Sequence, residues 1–373
     1  MSLVDPRVVK QAEVLVNNSL KFKKGESCVV IGDFAAKPLM YEIYKLLLKK
    51  GAKHVRLHWI SYEIDEIYFK NASNAQIKIY PELEDYEMKK MDCYIRIGSS
   101  TNTRGLSNVV AEKISARQKV TRPITDYRVE NTRWVVTRFP TEAQAQEADM
   151  SLSEYEDFVF NAINKVDWKK KFKEQEKLAE LLTKTKEVHV VGHKTDLRLG
   201  KKGRSAENAG GENNMPDGEV FTSVVENQAD GFITYTYPAL YMGREFHNVR
   251  LEFKTGKVVK ATADKGENDL NKILDMDKGS RTIGELGIGN NFAVDRFTKD
   301  ILFDEKIGGS IHIALGKGYK ETGSKNESAL HWDMIKDLRG GPASTRGDSS
   351  TRGGELWFDD KLVQKDGRWL IKL

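Results

Sequence analysis

The sequence predicts an α/β N-terminal domain with a mostly parallel sheet, followed by a strand-rich α+β C-terminal domain. Three observations predict it. Short β-branched runs alternate with helix-length segments in the first half, and strands between glycine-rich turns take over in the second. The length of 373 residues also exceeds what one ordinary core accommodates. The boundary is drawn at residue 186, giving domains 1–186 and 187–373.

Pro6 to Leu20 places Val8, Val9, Ala12, Leu15 and Val16 at helical spacing, and Cys28 to Ile31 reads as a short strand. Pro38 to Lys50 is a second helix, stopped by Gly51. His54 to Ile60, Asp92 to Ile97 and Trp134 to Arg138 read as further strands, and strands separated by helices imply parallel pairing. Ser151 to Lys186 lacks glycine and proline and is expected to be one helical connector closing the first domain. Beyond it, strands are expected at Val188–Val191, Phe232–Tyr237, Val249–Phe253, Val258–Thr262, Ser310–Ala314 and Glu355–Phe358. Arg339 to Gly354, rich in glycine, serine, threonine and arginine, cannot bury apolar surface and reads as a loop, a surface excursion or a lid.

Composition excludes several classes. Charged residues make up 31% and hydrophobic ones 39%, as in a globular protein. The net charge of +5 comes from 60 basic residues interleaved with 55 acidic ones, not the one-sided basic face of a nucleic-acid binder. No apolar run approaches the roughly 18–20 residues of a membrane span, and the N-terminus lacks a secretory pattern. Only Cys28 and Cys93 occur, both in apolar runs, which suits a reducing, cytoplasmic compartment and rules out a cysteine-liganded zinc site.

Two motifs are decoys. His193-Lys-Thr-Asp196 resembles the guanine-reading element of GTPases, but no phosphate-cradling Gly-x-x-x-x-Gly-Lys-Ser/Thr loop accompanies it. Val29 to Asp33 ends a strand without a Gly-x-Gly-x-x-Gly turn. His54, His58, His189 and His193 lack an acidic partner at ligand spacing and read as structural.

Five segments of the second half carry metal-competent side chains. Met215–Val224 places Glu219 where a turn meets a strand, and Ile283–Gly289 places Glu285 between glycines in what reads as a turn. Leu302–Lys306 carries Asp304 and Glu305, and Ser310–Gly316 carries His312, followed by Tyr319. Leu330–Ile335 carries His331 and Asp333, which share a face in extended chain. A glutamate in a turn is usually solvated and a histidine in an apolar strand usually core, so none is persuasive alone. Together they form a mixed oxygen and nitrogen donor set that suits zinc, cobalt or manganese better than calcium. The set is large enough for two divalent ions sharing one carboxylate.

The blocks VDPRVVKQAEVLVNNSLKFKKGE, TRFPTEAQAQEADMS, PDGEVFTS, GELGIG, HIALGKGY and HWDM, in this order, resemble the thermophilic aminopeptidase family, peptidase family M29. The resemblance implies metal ligands at Glu219, Glu285, Glu305, His312, His331 and Asp333, with Glu285 as the bridge. It implies an active-site role for Tyr319, as ligand or hydrogen-bond donor. It further implies a homodimer with an enclosed cavity that admits short peptides. KIGGSI, between Glu305 and His312, is longer than the family's usual Asn-Ala-Ser-type linker. The function implied is removal of N-terminal residues from short peptides by a water activated between two ions. The competing readings are a metal-dependent amidase or esterase on another acyl group, and a metal-free binding module that keeps the fold.

Overall fold

The computed structural model describes residues 4–341 and 353–373, and it falls into two compact units. The first comprises residues 1–167 with 211–216, the second 168–210 with 217–373. Residues 342–352 of the expected loop lie outside the described residues.

In the first unit the chain opens with α1 (Pro6–Glu13), whose N-cap Asp5 accepts a hydrogen bond from the Arg7 amide and whose first turn carries Pro6. The predicted helix continues to Ser19, but with wider, π-helical turns over Val14–Ser19. The sheet contains β1 (Ser27–Gly32), β2 (His54–Trp59), β3 (Cys93–Gly98) and β4 (Arg133–Arg138), in the order β2-β1-β3-β4, with Asn214–Met215 at the β4 edge. Every pair is parallel, as the alternating sequence requires. The helix Lys37–Lys49 ends just before Gly51, which takes the left-handed conformation (φ +79°) expected of a helix stop.

The expected single connector is broken into Leu152–Asn164 and Trp168–Lys184. The first begins with a Ser151/Glu154 capping box and buries Tyr155, Phe158, Val159 and Ile163 in the first unit. The second buries Leu178, Ala179 and Leu182 in the core of the second unit. Each segment serves a different core, so the break falls at the junction between units, ahead of residue 186.

Among the described residues the second unit holds two large antiparallel sheets whose inner faces share one apolar core, and a two-stranded hairpin of Ala239–Tyr241 and Arg244–Phe246. The larger contains eight strands, including Glu187–Gly192, Thr195–Gly200, Ala229–Thr234, Arg250–Lys254, Lys257–Thr262 and Glu355–Phe358. The His193-Lys194 decoy is the turn of its first hairpin, where Lys194 takes φ +49°. His189 does have an acidic partner: its Nε2 lies 2.7 Å from Asp196 across that hairpin, a contact that only strand pairing creates. The smaller sheet contains β5 (Ala206–Ala209), β6 (Glu219–Thr222), β7 (Ile283–Gly289), β8 (Ser310–Gly316) and β9 (His331–Asp337), ordered β9-β8-β7-β6-β5.

Candidate metal centre

The smaller sheet separates two chemistries by face. Leu286, Ile288, Ile311, Ile313, Leu315, Trp332 and Met334 belong to the shared apolar core. The other face follows from the register. Asp333 lies opposite Ala314, and Ala314 opposite Glu285. His312 lies opposite Gly287, Gly287 opposite Phe221, and Glu219 opposite Gly289. Cross-strand partners point the same way, so four adjacent strands present Glu219, Glu285, His312 and Asp333 together. His331, two residues before Asp333, joins them.

Glu285 is in mid-strand, not in a turn as expected from its flanking glycines. Ile283 pairs with Leu315 and Glu285 with Ala314, so two steps on β7 match one on β8. This bulge inverts the alternation: Ile283 faces the core, and Glu285 faces away from it. Gly284 permits it, because a β-carbon there would run into the carbonyl oxygens of Gly316 and Lys317. Gly287 is required for a different reason: a β-carbon would meet the His312 ring. The glycines mark close approach within a strand.

Glu285 stands between two imidazoles. Its Oε1 is 3.6 Å from His312 Nε2, and its Oε2 is 3.6 Å from His331 Nε2. His312 Nε2 also lies 3.5 Å from Glu219 Oε2, and His331 Nε2 lies 3.5 Å from Asp333 Oδ2. His331 Nδ1 donates a 2.7 Å hydrogen bond to the Lys317 carbonyl. A carbonyl only accepts, so this bond fixes the proton on Nδ1 and aims Nε2 at the carboxylates. Donor atoms of Glu219, Glu305 and His312 lie within 4.8 Å of one another, as do those of Glu285, His312 and Asp333.

Glu305 follows a short helix, Ile301–Asp304, and Lys306 is next. Lys306 is fully buried (0% exposed), and its ammonium contacts Glu305, lies 2.7 Å from Glu219 Oε1 and 3.9 Å from Asp217. Asp304 points elsewhere: its Oδ1 accepts from the amide and hydroxyl of Thr298, a structural role. Tyr319, in the loop after β8, has its ring 5.2 Å from Phe221 and 5.6 Å from His331.

The electrostatics describe a buried, carboxylate-rich pocket short of positive charge. Burial pushes the Glu219 carboxyl up to about 8, although Lys306 pulls it the other way. Burial opposes a charge on His312, but Glu285, Glu219 and Asp333 outweigh it and raise that imidazole to about 9. His331 rises to about 10 on the same balance, with Asp333 and Glu285 outweighing burial. Tyr319 is 44% exposed as a residue, but its hydroxyl end is crowded by the site, and burial there with the carboxylates of Glu285 and Asp333 pushes the phenol above its ordinary value. Glu219 Oε2, His312 Nδ1 and Asp333 Oδ1 are buried without a hydrogen-bond partner among the described residues. Buried carboxylates and half-satisfied imidazoles of this kind gain stability from added positive charge. The donor set fits a divalent transition ion.

The seven residues that the family resemblance implies lie in this region, with Glu219, Glu285, His312, His331 and Asp333 on the sheet face and Glu305 and Tyr319 on adjoining loops, whereas Asp304, also metal-competent in the sequence, does not join them. Sequence reasoning missed Lys306, Asp217 and the orienting Lys317 carbonyl. Lysine next to a candidate ligand was the available signal for Lys306, but lysines are overwhelmingly solvated.

The fold and site together define a protein with a buried, mixed oxygen and nitrogen donor set for a divalent metal ion. A sequence profile of the thermophilic metalloprotease (M29) family matches residues 4–369, and the chain belongs to that family. It is 24% identical to "Aminopeptidase 2" of Geobacillus stearothermophilus, with 98% of each chain covered. It is 26% identical to "Aminopeptidase AmpS" of Bacillus subtilis, over 87% of this chain and 88% of the relative. The solved structure of wild-type AmpT from Thermus thermophilus has the same fold, at a TM-score of 0.84 and 21% identity, covering 98% of this chain and 99% of that one.

Proposed function

We propose that the chain is an aminopeptidase that removes N-terminal residues from short peptides, with its second unit as the catalytic domain and two divalent ions (zinc, cobalt or manganese) at the centre. One observation carries the reading: Glu285 directs its two oxygens at two different imidazoles, the arrangement a carboxylate needs to bridge two ions. One ion would be held by Glu219, Glu305 and His312, the other by Glu285, His331 and Asp333, with Glu285 shared. When bound, the ions supply an ionised water near neutral pH and a Lewis acid for the scissile carbonyl.

The protein's own groups account for the rest. A free α-amine would supply one more donor to an ion held at the centre, which favours an unblocked amino terminus over a blocked one. The Tyr319 phenol, beside His331, keeps its proton at neutral pH, so it can donate a hydrogen bond to the developing oxyanion. A cavity of about 190 Å³, lined by Leu240, Tyr241, Met242, Phe297 and Ile301 together with Asp304, opens beside His331 and Asp333 and is our candidate for receiving the N-terminal side chain. Among the described residues no helix is long and apolar enough to cross a membrane. A cytoplasmic homodimer acting in peptide turnover completes the reading.

The test is hydrolysis of a leucine-terminated dipeptide and of its N-acetylated twin, before and after chelation and with zinc or cobalt restored. Metal-restored activity on the free amine alone supports the aminopeptidase. Equal activity on both substrates indicates a general amidase, and silence on both indicates a binding module.

A further inference from the structure

The centre contains a cation of its own. Lys306 has no solvent exposure, and its backbone is pinned on both sides: its amide donates to the Phe303 carbonyl, and its carbonyl accepts from the Asn291 amide at 3.0 Å. The ammonium is therefore a fixed part of the site and not a mobile arm. It engages Glu219 through Oε1 and Glu305 through Oε1, with Asp217 behind. These are two of the three donors available to one ion. On the other side, Glu285 and Asp333, grouped with His312 and flanked by His331, have no ion pair to Lys306 within 4 Å among the described residues, and the ammonium's charge reaches Asp333 only at longer range.

We infer that Lys306 makes the two metal positions unequal, one tight at Glu285, His331 and Asp333, the other exchangeable at Glu219, Glu305 and His312. The inference rests on the metal-centre reading. Two effects act on the second position. Glu219 has one oxygen committed to the ammonium, so it offers only Oε2, the atom that faces His312 and lacks a hydrogen-bond partner among the described residues. The positive charge also repels an incoming cation at short range in a water-poor pocket, where screening is weak. Charge balance still permits occupancy. Asp217, Glu219, Glu285, Glu305 and Asp333 carry five negative charges, which Lys306 and two divalent ions would neutralise. Lys306 thus lowers the affinity of the second ion without excluding it.

The experiment is a zinc titration of the chelated full-length protein by calorimetry, with bound metal counted by atomic emission after dialysis against metal-free buffer. The wild type is expected to show two dissociation constants at least ~10-fold apart and to retain one equivalent after dialysis. Lys306→Met, neutral and of similar length, is expected to tighten the weaker site at least ~10-fold and to change the tighter site by less than ~3-fold. Unchanged or weakened binding at the second site of a folded Lys306→Met would overturn the inference. If that variant does not fold, the wild type decides, because two indistinguishable sites, or two equivalents retained, overturn it equally. That outcome leaves the metal-centre reading intact, whereas no bound zinc at all removes the reading itself.

Discussion

Gly287→Ala tests the sheet-face geometry with a single carbon. The backbone does not forbid the change, since Gly287 is absent from the positive-φ residues and alanine is cheaper than glycine to order in a strand. Only the His312 ring opposes it. A β-carbon at 287 would lie 2.7 Å from His312 Nδ1 and closer still to Cε1 and Nε2. Nonbonded carbon contacts settle near ~3.5 Å, so the ring must withdraw by about 1 Å or more. Its other sides are packed, and His312 is 1% exposed, so the strain is expected to cost about 1–3 kcal/mol of stability. Metal–ligand distances tolerate only about 0.2 Å, so the displaced imidazole is lost as a donor. Altering groups that merely orient a ligand costs roughly 10–100-fold in affinity, which sets a floor here. The assay is zinc competition against a chromophoric chelator, beside urea denaturation of the metal-free protein. A folded Gly287→Ala with wild-type zinc affinity would refute the reasoning, because His312 could not then be a ligand in the position described.

Glu285→Ala should abolish hydrolysis while the metal-free protein stays folded, since it removes a buried carboxylate from a like-charged cluster; activity above ~1% with metal content verified would remove the bridging role. Thiol reagents should not affect the enzyme. Cys28 and Cys93 are adjacent across β1 and β3, and burial pushes the Cys93 thiol up to about 12, so alkylation followed by mass spectrometry should label neither until the protein is denatured. Asp277 accepts hydrogen bonds from the amides of Gly279, Ser280 and Ala329, and the Ala329 bond foremost lowers its carboxyl to about 2. Its stabilisation is therefore complete above the unfolded value near ~4 and lost as pH falls towards 2. Asp277→Asn should lower the Tm by roughly 2–4 °C at pH 7, and that gap should close between pH 4 and 2; a gap independent of pH would show that the charge is not what ties this turn together.

The sequence by itself determined the fold class and the donor inventory. Both are local: β-branched runs such as Cys28–Ile31 declare strands within a few residues, and a carboxylate or imidazole is chemically what it is wherever it lies. Pairing decided the rest. Glu285 shares a face with His312 only because a bulge at Gly284 shifts the register of β7 against β8, and a one-residue shift exchanges the core face for the open one. GELGIG read as a turn because glycine usually signals one. Here Gly284 makes room for backbone carbonyls, and Gly287 for an imidazole 25 residues further along the chain. The Ser151–Lys186 segment carries no breaker, yet it divides because its halves belong to different cores. Lys306 was the least legible, since burying an ammonium takes several acceptors gathered around it, here carboxylates from elsewhere in the chain. Asp217 and Glu219, nearly ninety residues away in sequence, meet that condition only after the sheet has formed.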